Sequence, residues 1–229
     1  GLVMAIEDIS DVSKVKNTFK RYVSKQVVDE LLGDDGKLNL GGEEREVTIL
    51  FTDIRGFTSM SEKMEPERVV TTLNEYFSDM IDIVFKNNGT LDKIIGDELM
   101  VLYGAPISGE NDTSRAVSTA IEMQSRIKEM NREKKRKKEP PIFVGAGINC
   151  GRVVSGNIGS RDLMDYTVIG DTVNVASRLC AAAGPGEILV SNSVYGRTKK
   201  EFSFETLDPI SVKGKEKKVP AFMIKQKDK

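Results

Sequence analysis

The stretch that decides the fold is Val47-Thr48-Ile49-Leu50-Phe51-Thr52-Asp53-Ile54-Arg55-Gly56-Phe57-Thr58. Its first six residues are apolar or β-branched, which is typical of a buried strand. Asp53 stands where this strand ends, just before a turn at Gly56. A carboxylate in this place is suited to holding a cation, although an acid at a strand end is also a common turn or helix-capping residue.

A second acid occupies the turn of a predicted hairpin. Thr90–Ile95 and Leu99–Tyr103 predict two strands around Gly96-Asp97-Glu98. Asp97 taken alone is an ordinary turn residue, but together with Asp53 it puts carboxylates on two neighbouring strand ends. Such a pair can bind two divalent ions whose coordination is completed by substrate phosphates. The pattern therefore indicates phosphoryl or nucleotidyl transfer.

Helices alternate with further strands along the rest of the chain. Pro66 can open a helix whose apolar residues recur every three or four positions up to Asn87, and another helix follows Asn111-Asp112. The later predicted elements are strands at 142–149, 153–158 and 166–169, a helix at 172–183, and short strands at 187–190 and 202–204. This order is typical of an α+β domain.

A third group of polar residues falls on the predicted helix 172–183. Asn174 and Arg178 are four residues apart, so they share one face of a helix that is otherwise largely apolar. Together they can bind phosphate oxygens, position a ribose and stabilise charge in a transition state. The alternative is a buried Arg paired with a structural carboxylate. Arg152 and Lys213 are further candidates for binding phosphate.

The composition excludes several kinds of chemistry. The 229 residues include no His, which excludes an imidazole base, a Ser-His-Asp triad and a His-ligated zinc. Any reaction must therefore use carboxylates, amines, amides, hydroxyls and bound ions. Cys150 and Cys180 lie in apolar contexts, so we expect two reduced thiols and a cytoplasmic location.

The charge pattern argues against a nucleic-acid partner. The 34 Lys and Arg residues and 35 Asp and Glu residues leave a net charge of -1. The basic run 132–139 has no interleaved aromatic residues for stacking on bases, and we interpret it as a solvated helix end. No apolar run approaches the roughly 18 residues of a membrane span, and no signal peptide is visible.

Residues 1–44 form a predicted linker rather than part of the core. Apolar residues between Val12 and Leu31 recur at helical spacing, which predicts either a helix that caps the core or a parallel dimer linker. The Gly-rich and acidic segment 33–44 indicates a flexible junction. We therefore predict a linker over 1–44 and a catalytic domain over 45–229.

Four motifs, in order, closely resemble the catalytic domain of class III nucleotidyl cyclases. They are Phe-Thr-Asp-Ile-Arg-Gly-Phe-Thr at 51–58, Asp-Lys-Ile-Ile-Gly-Asp at 92–97, Gly-Arg-Val-Val-Ser-Gly-Asn-Ile-Gly at 151–159, and Gly-Asp-Thr-Val-Asn-Val-Ala-Ser-Arg at 170–178. The resemblance runs from about Val47 to Ile224 and implies an α+β fold with a ferredoxin-like, palm-type mixed sheet covered by helices. The N-terminal helix resembles the linker that joins such domains to upstream sensor or membrane modules in signal transduction. Whether a longer native chain is tethered to a membrane is left open.

The resemblance also implies a role for each candidate residue. Asp53 and Asp97, with the Ile54 carbonyl, match the ligands of two Mg²⁺ or Mn²⁺ ions, and Asn174 and Arg178 match the ribose-positioning and transition-state residues. Arg152 and Lys213 match the polyphosphate contacts. Lys93 and Thr167 match the positions that read the purine, where Lys and Thr favour adenine and guanylate cyclases usually place Glu and Cys. Thr in place of the frequent Asp resembles a subgroup that often responds to bicarbonate.

The implied activity is conversion of ATP to cyclic AMP and pyrophosphate in a homodimer with two sites at its interface. The metal aspartates and Arg152 of one protomer would face Lys93, Thr167, Asn174, Arg178 and Lys213 of the other. The alternatives are a guanylate cyclase, a diguanylate-cyclase-like domain suggested by Ile95-Gly96-Asp97-Glu98-Leu99, and a nucleotide-binding regulatory module without activity.

Overall fold

The computed structural model describes Val27 and residues 40–160, 162–210 and 218–225. Val27 is helical, and the rest of the predicted N-terminal helix lies outside the described residues, as does Lys213. The chain from Leu40 onward forms a unit of its own. The domain boundary between 44 and 45 stays a prediction.

The described residues from 40 onward form eight strands and five helices. The strands are β1 (Gly41–Ile54), β2 (Thr90–Ile95), β3 (Glu98–Tyr103), β4 (Val144–Gly159), β5 (Met164–Ile169), β6 (Ile188–Ser191), β7 (Phe204–Thr206) and β8 (Ala221–Ile224). The helices are α1 (Phe57–Ser61), α2 (Pro66–Lys86), α3 (Asp112–Arg136), α4 (Asp171–Ala182) and α5 (Asn192–Thr198).

The strands make one mixed sheet in the order β2-β3-β1-β4-β6-β8-β7, and β5 pairs with β4 beside this path. β4 and β6 are parallel, and the other paired strands are antiparallel. The run β1-α2-β2-β3-α3-β4, with β1 and β3 in the centre of their four strands, is a ferredoxin-like unit. The predicted α+β fold with a palm-type mixed sheet is confirmed.

Helix α2 shows how the apolar pattern fixes the packing. Pro66 occupies the first turn after an extended Glu65, where its missing N–H leaves no helical bond unmade. The buried residues of α2 recur at helical spacing and are Thr72, Tyr76, Met80, Ile83 and Val84. Each large apolar side chain in this row stabilises the fold by roughly 1.5–3 kcal/mol through burial.

The two faces of the sheet carry different helices. One core joins Leu50 and Ile54 of β1 to residues of α2 and α3. The other joins Val47, Ile49 and Phe51 of β1 to Ala176 and Cys180 of α4. Because side chains alternate along a strand, Asp53 continues the row of Val47, Ile49 and Phe51 and belongs to the α4 face.

Several elements differ from the sequence prediction. β1 begins at Gly41, so residues 41–44 are paired with β4 rather than part of a flexible junction. β4 is one strand of 16 residues where two were predicted. α1, α5 and β8 were not predicted, and β7 begins two residues later than expected. The predicted hairpin, the helices from Pro66 and Asp112 and the helix ending near Ala182 are confirmed.

The basic run 132–139 and the two cysteines agree with their interpretation as a solvated helix end and as reduced thiols. α3 continues through Arg136, and most of the charged side chains at its end are exposed. Lys134 is buried and pairs with Glu139 at 3.3 Å. Both cysteines are buried free thiols. Within the described part of the chain, no helix has the length and apolar character needed to span a membrane.

Candidate active site

The strand register brings Asp53 and Asp97 together. β1 pairs with β3 as far as Thr52 opposite Leu99, so Asp53 comes next to the β2–β3 turn. Gly96 adopts a φ of 65° in this turn, a conformation that a side chain disfavours. The Asp97 carboxylate accepts a hydrogen bond from the Ile54 N–H at 3.1 Å, and its other close neighbour is the Asp53 carboxylate. We call Asp53 and Asp97 the acid pair.

The acid pair carries more negative charge than its surroundings neutralise. Partial burial, the hydrogen bond with Asp53 and the Asp53 charge raise the pKa of Asp97 to about 6. Burial and the charges of the same two aspartates raise the pKa of Glu98 to about 7. A divalent cation would relieve this repulsion and lower both pKa values.

Among the described residues, Arg55 is the cation that contacts the acid pair. Its guanidinium binds the Asp53 carboxylate, and Nη1 donates to the carbonyls of Cys180 and Ala183 at 3.2 Å each. These carbonyls lie at the C-terminal end of α4, where a cation also stabilises the helix dipole. Arg55 therefore fixes the position of Asp53 relative to α4.

The residues of the acid pair fit a hard divalent cation, but only in part. Two carboxylates supply the oxygen ligands that Mg²⁺ and Mn²⁺ prefer, and their mutual repulsion favours a cation between them. Among the residues described by the structure, no group of three or more Asp, Glu or Cys side chains is arranged to hold a metal. The remaining ligands would therefore come from water, a backbone carbonyl such as that of Ile54, or substrate phosphates.

A second group of polar residues joins β2 to β5. Lys93 binds the Asp165 carboxylate, and its Nζ lies 3.4 Å from Asp92 Oδ2. The Thr167 hydroxyl donates to the same Asp92 oxygen at 3.1 Å. Burial acts to lower the pKa of Lys93, but the hydrogen bond to Asp165 and the charge of Asp92 raise it overall. We call these four residues the Asp92 cluster.

Asn174 and Arg178 lie on α4 as predicted. The opposite side of the helix is buried through Val175, Ala176 and Leu179. Gly147 of β4 allows this close packing, because a Cβ there would lie 2.0 Å from the Cys180 nitrogen. Within the described residues, neither Asn174 nor Arg178 has a hydrogen-bond or ion-pair partner. Among these residues, then, no carboxylate pairs with Arg178 as the alternative interpretation would require.

Arg152 is not brought to the acid pair of its own chain. On β4, Gly145 pairs with Asp53 and Arg152 pairs with Glu46, so seven residues separate the two positions. At roughly 3.3 Å per residue this is about 23 Å. The Arg152 side chain is 81% exposed and donates to Glu44 at 3.1 Å. That Arg152 and the metal aspartates of one protomer face the same site stays a prediction, and this geometry gives it no support.

Sequence reasoning gave no role to Arg55, Asp92 or Glu98, although Arg55 and Asp92 lie in the quoted motifs and Glu98 directly follows one of them. Glu98 could have been found from the strand register, since it faces the end of β1. Arg55 and Asp92 depend on contacts with α4 and β5, and the sequence holds no local signal for either contact.

Comparison with known proteins agrees with the fold. Residues 42–226 match the family model of the adenylate and guanylate cyclase catalytic domain. An adenylate cyclase of Anabaena cylindrica is 34% identical over 226 residues, which covers 93% of this chain and 44% of that protein. The chain thus spans less than half the length of this curated relative.

Two solved structures give the same result. The adenylyl cyclase CyaB of P. aeruginosa superposes with a TM-score of 0.79 at 36% identity, covering 82% of this chain and 98% of that one. The guanylyl cyclase Cya2 superposes with a TM-score of 0.74 at 38% identity, covering 81% and 94%. From its matched length, its sheet and its ordered motifs, this chain belongs to the class III adenylate and guanylate cyclase catalytic domain family.

Proposed function

We propose that this domain is an adenylate cyclase that converts ATP to 3′,5′-cyclic AMP and pyrophosphate. The observation that carries the choice of substrate is that one oxygen of Asp92 forms an ion pair with Lys93 and accepts a hydrogen bond from Thr167. These residues are 74 positions apart in the chain, and Asp92 holds them side by side as one ammonium donor and one hydroxyl. Adenine offers N1 as an acceptor and its 6-amino group as a donor, so the pair complements it.

Lys93 and Thr167 fit guanine less well than adenine. Guanine has a proton on N1 and an acceptor oxygen at position 6, so the Lys93 ammonium would meet an N–H donor. Cya2, a guanylyl cyclase, is nevertheless as similar to this chain as CyaB is. The choice of ATP therefore depends on these two side chains and not on overall similarity.

The site is proposed to form between two copies of the domain. The outer face of the β4–β5 hairpin supports this, because Val154 and Ile169 pair across the strands and are 45% and 52% exposed. Leu163, in the turn of the hairpin, and Met164 are also exposed, but alternation places Met164 on the other face of β5 from Ile169. Exposed apolar patches of this kind mark protein interfaces. In a two-fold dimer the acid pair of one copy would meet the Asp92 cluster, Asn174 and Arg178 of the other, giving two sites.

Each residue has a proposed task in the reaction. Asp53 and Asp97 would hold two Mg²⁺ or Mn²⁺ ions, which supply Lewis-acid activation of the 3′-hydroxyl and charge neutralisation at the phosphates. Lys93 and Thr167 orient the adenine, and Asn174 orients the ribose so that its 3′-oxygen lies in line with the α-phosphorus. Arg178 donates to the α-phosphate as negative charge grows there.

The bonds and protons balance within the substrate and water. The bond from O3′ to the α-phosphorus forms, the bond from that phosphorus to the bridging oxygen breaks, and pyrophosphate leaves. Because the chain has no His, the 3′-hydroxyl proton passes to a carboxylate such as Asp53, to water or to the substrate itself. Lys213 is proposed to bind the departing pyrophosphate.

A product assay tests the proposal. The protein is incubated with ATP or GTP and Mn²⁺ or Mg²⁺, and the products are separated by chromatography. Cyclic AMP and pyrophosphate are expected, with Glu75→Gln, an exposed acid on α2, as the control variant that keeps full activity. Cyclic GMP would replace the proposal with a guanylate cyclase, and binding of nucleotide without product would replace it with a regulatory module.

A further inference from the structure

Asp92 occupies an irregular position in β2. Leu91 pairs with Val101 and Lys93 pairs with Met100, so Asp92 is an extra residue that has no partner in the register. Bulges of this kind turn side chains away from the regular alternation. As a result, the side chains of Asp92 and Lys93 approach each other to 3.4 Å although the residues are adjacent in the strand.

The Asp92 carboxylate is buried at a cost to the fold. Its side chain is 1% exposed, and its Oδ1 atom is buried without a hydrogen-bond partner. Burial raises the pKa of Asp92 to about 6 against the opposing influence of Lys93 and Thr167. Within the described residues its side-chain partners are Lys93 and Thr167, the two proposed purine-reading residues. A buried carboxylate with a free oxygen is not explained by stability alone.

The hydrogen bond between Thr167 and Asp92 has a fixed donor and a fixed acceptor. An ionised carboxylate only accepts hydrogen bonds, so the single hydroxyl proton of Thr167 must point to Asp92 Oδ2. The two lone pairs of Oγ1 are then the only hydrogen-bonding capacity that the Thr167 side chain can offer to a ligand. A free hydroxyl, in contrast, rotates and serves as either donor or acceptor.

We propose that Asp92 is a positioning residue that fixes the Thr167 hydroxyl as an acceptor and thereby selects purines with an amino group at position 6. This inference rests on the proposed function and adds a residue that does not itself touch the base. A 6-amino group donates to the fixed lone pairs, whereas a 6-oxo group meets them as a second acceptor. Mismatched buried acceptors of this kind give strong discrimination between substrates.

The test compares ATP with inosine 5′-triphosphate, which differs at position 6 and in the adjoining N1 proton. The ratio of kcat/KM for the two substrates is measured in the wild-type protein, Asp92→Asn and the control Glu75→Gln. Asn at 92 can accept from or donate to the hydroxyl, so Thr167 is no longer restricted to one role. We expect the ratio to fall about tenfold in Asp92→Asn and to stay unchanged in the control, as loss of one hydrogen bond would produce.

A second variant separates this role from a structural one. Thr167→Val removes the hydroxyl and keeps the shape, so it should lower the ratio similarly, and adding Asp92→Asn to it should lower the ratio no further. If Asp92→Asn folds poorly, Thr167→Val alone still tests the inference, because an unchanged ratio in this variant would show that the Thr167 hydroxyl does not select the purine. An unchanged ratio in an active Asp92→Asn protein, or additive effects of the two substitutions, would overturn the inference alone. Absence of cyclic AMP from the wild-type protein would overturn the proposed function and this inference with it.

Discussion

The acid pair and the Asp92 cluster are both built on the β2–β3 hairpin, and they differ in how their negative charge is neutralised. Asp97 faces Asp53, so its nearest neighbour repels it, and Arg55 offsets the charge only from the Asp53 side. Asp92 instead shares its oxygen with an ammonium and a hydroxyl of its own chain. Under the proposed function the first region is completed by a cation, whereas the second is already held together by contacts within the chain.

The largest expected effect comes from removing a charge of the acid pair. Asp97→Asn keeps an oxygen for the Ile54 N–H but loses the negative charge, so we expect kcat to fall by about 10²–10³, as for loss of a major electrostatic contact. The melting temperature should not fall, because repulsion by Asp53 is relieved. Mn²⁺ should raise the melting temperature of the wild type and not of the variant, since only the wild type binds it well.

Activity measured with both substrates and thermal unfolding with and without Mn²⁺ check this prediction. Glu75→Gln serves again as the control, with the response of the wild type expected in both measurements. A variant that keeps more than a tenth of the activity, together with the full Mn²⁺ stabilisation, would contradict the assigned role of the acid pair.

Mixing two inactive variants tests whether the regions meet across an interface. Asp53→Ala and Asn174→Ala should each be nearly inactive, because every site in either homodimer lacks one residue. In an equal mixture with random exchange, half of the dimers are mixed and each has one intact site of two, so about a quarter of the wild-type activity should return. Native mass spectrometry verifies the mixed dimers. Their presence without recovered activity would show that the site is not shared.

A smaller effect is expected from pH, and it concerns the Asp92 cluster. The pKa of Asp92 is raised from 3.8 to about 6, so the folded protein binds this proton more readily than the unfolded chain does. Its contribution to the free energy of unfolding therefore becomes less favourable as the pH rises from about 4 to about 6. The charged groups that face it are Lys93 and Asp165.

Protonation of Asp92 should also loosen the choice of purine. Below about pH 6 the carboxyl can donate as well as accept, and the preference for ATP over inosine 5′-triphosphate should decline. The ratio of the two kcat/KM values at pH 5.5 and pH 8 measures this, and it cancels the titration of Asp97, which affects both substrates alike. Asp92→Asn should show a ratio that is independent of pH, and a wild-type ratio equally independent of pH would contradict the prediction.

The smallest effect is expected at Arg152. This side chain is 81% exposed, and its ion pair with Glu44 is the kind that contributes less than about 1 kcal/mol. Arg152→Ala should therefore change the activity less than about fivefold and leave the melting temperature nearly unchanged. Steady-state kinetics with ATP decide the matter. A hundredfold loss would mean that Arg152 reaches the phosphates of a site to which another copy contributes the acid pair.

The positions of both residues of the acid pair could be predicted from the sequence, because local patterns define them. A buried run that ends at Asp53 and a hairpin whose turn holds Asp97 follow from alternation and turn chemistry alone. That β1 and β3 are neighbours was an inference from the same pattern, and the register confirms it.

The continuity of β4 and the contacts of the Asp92 cluster could not be predicted from the sequence. The glycines of 151–156 resemble strand breaks, but Gly156 is needed because a Cβ there would lie 2.1 Å from the Gly41 carbonyl oxygen. The inserted position of Asp92 depends on how β2 pairs with β3, and its contact with Thr167 joins segments far apart in the chain. Such features depend on tertiary pairing, which no local residue pattern encodes.

The guanidinium of Arg55 has a mechanical consequence. It connects the Asp53 carboxylate to the last carbonyls of α4, and α4 also carries Asn174 and Arg178. A displacement of α4 that breaks these hydrogen bonds would release Asp53 and shift both polar side chains at the same time. Any signal that moves this helix would thus alter the proposed ion binding and the proposed transition-state contacts together, through a single side chain.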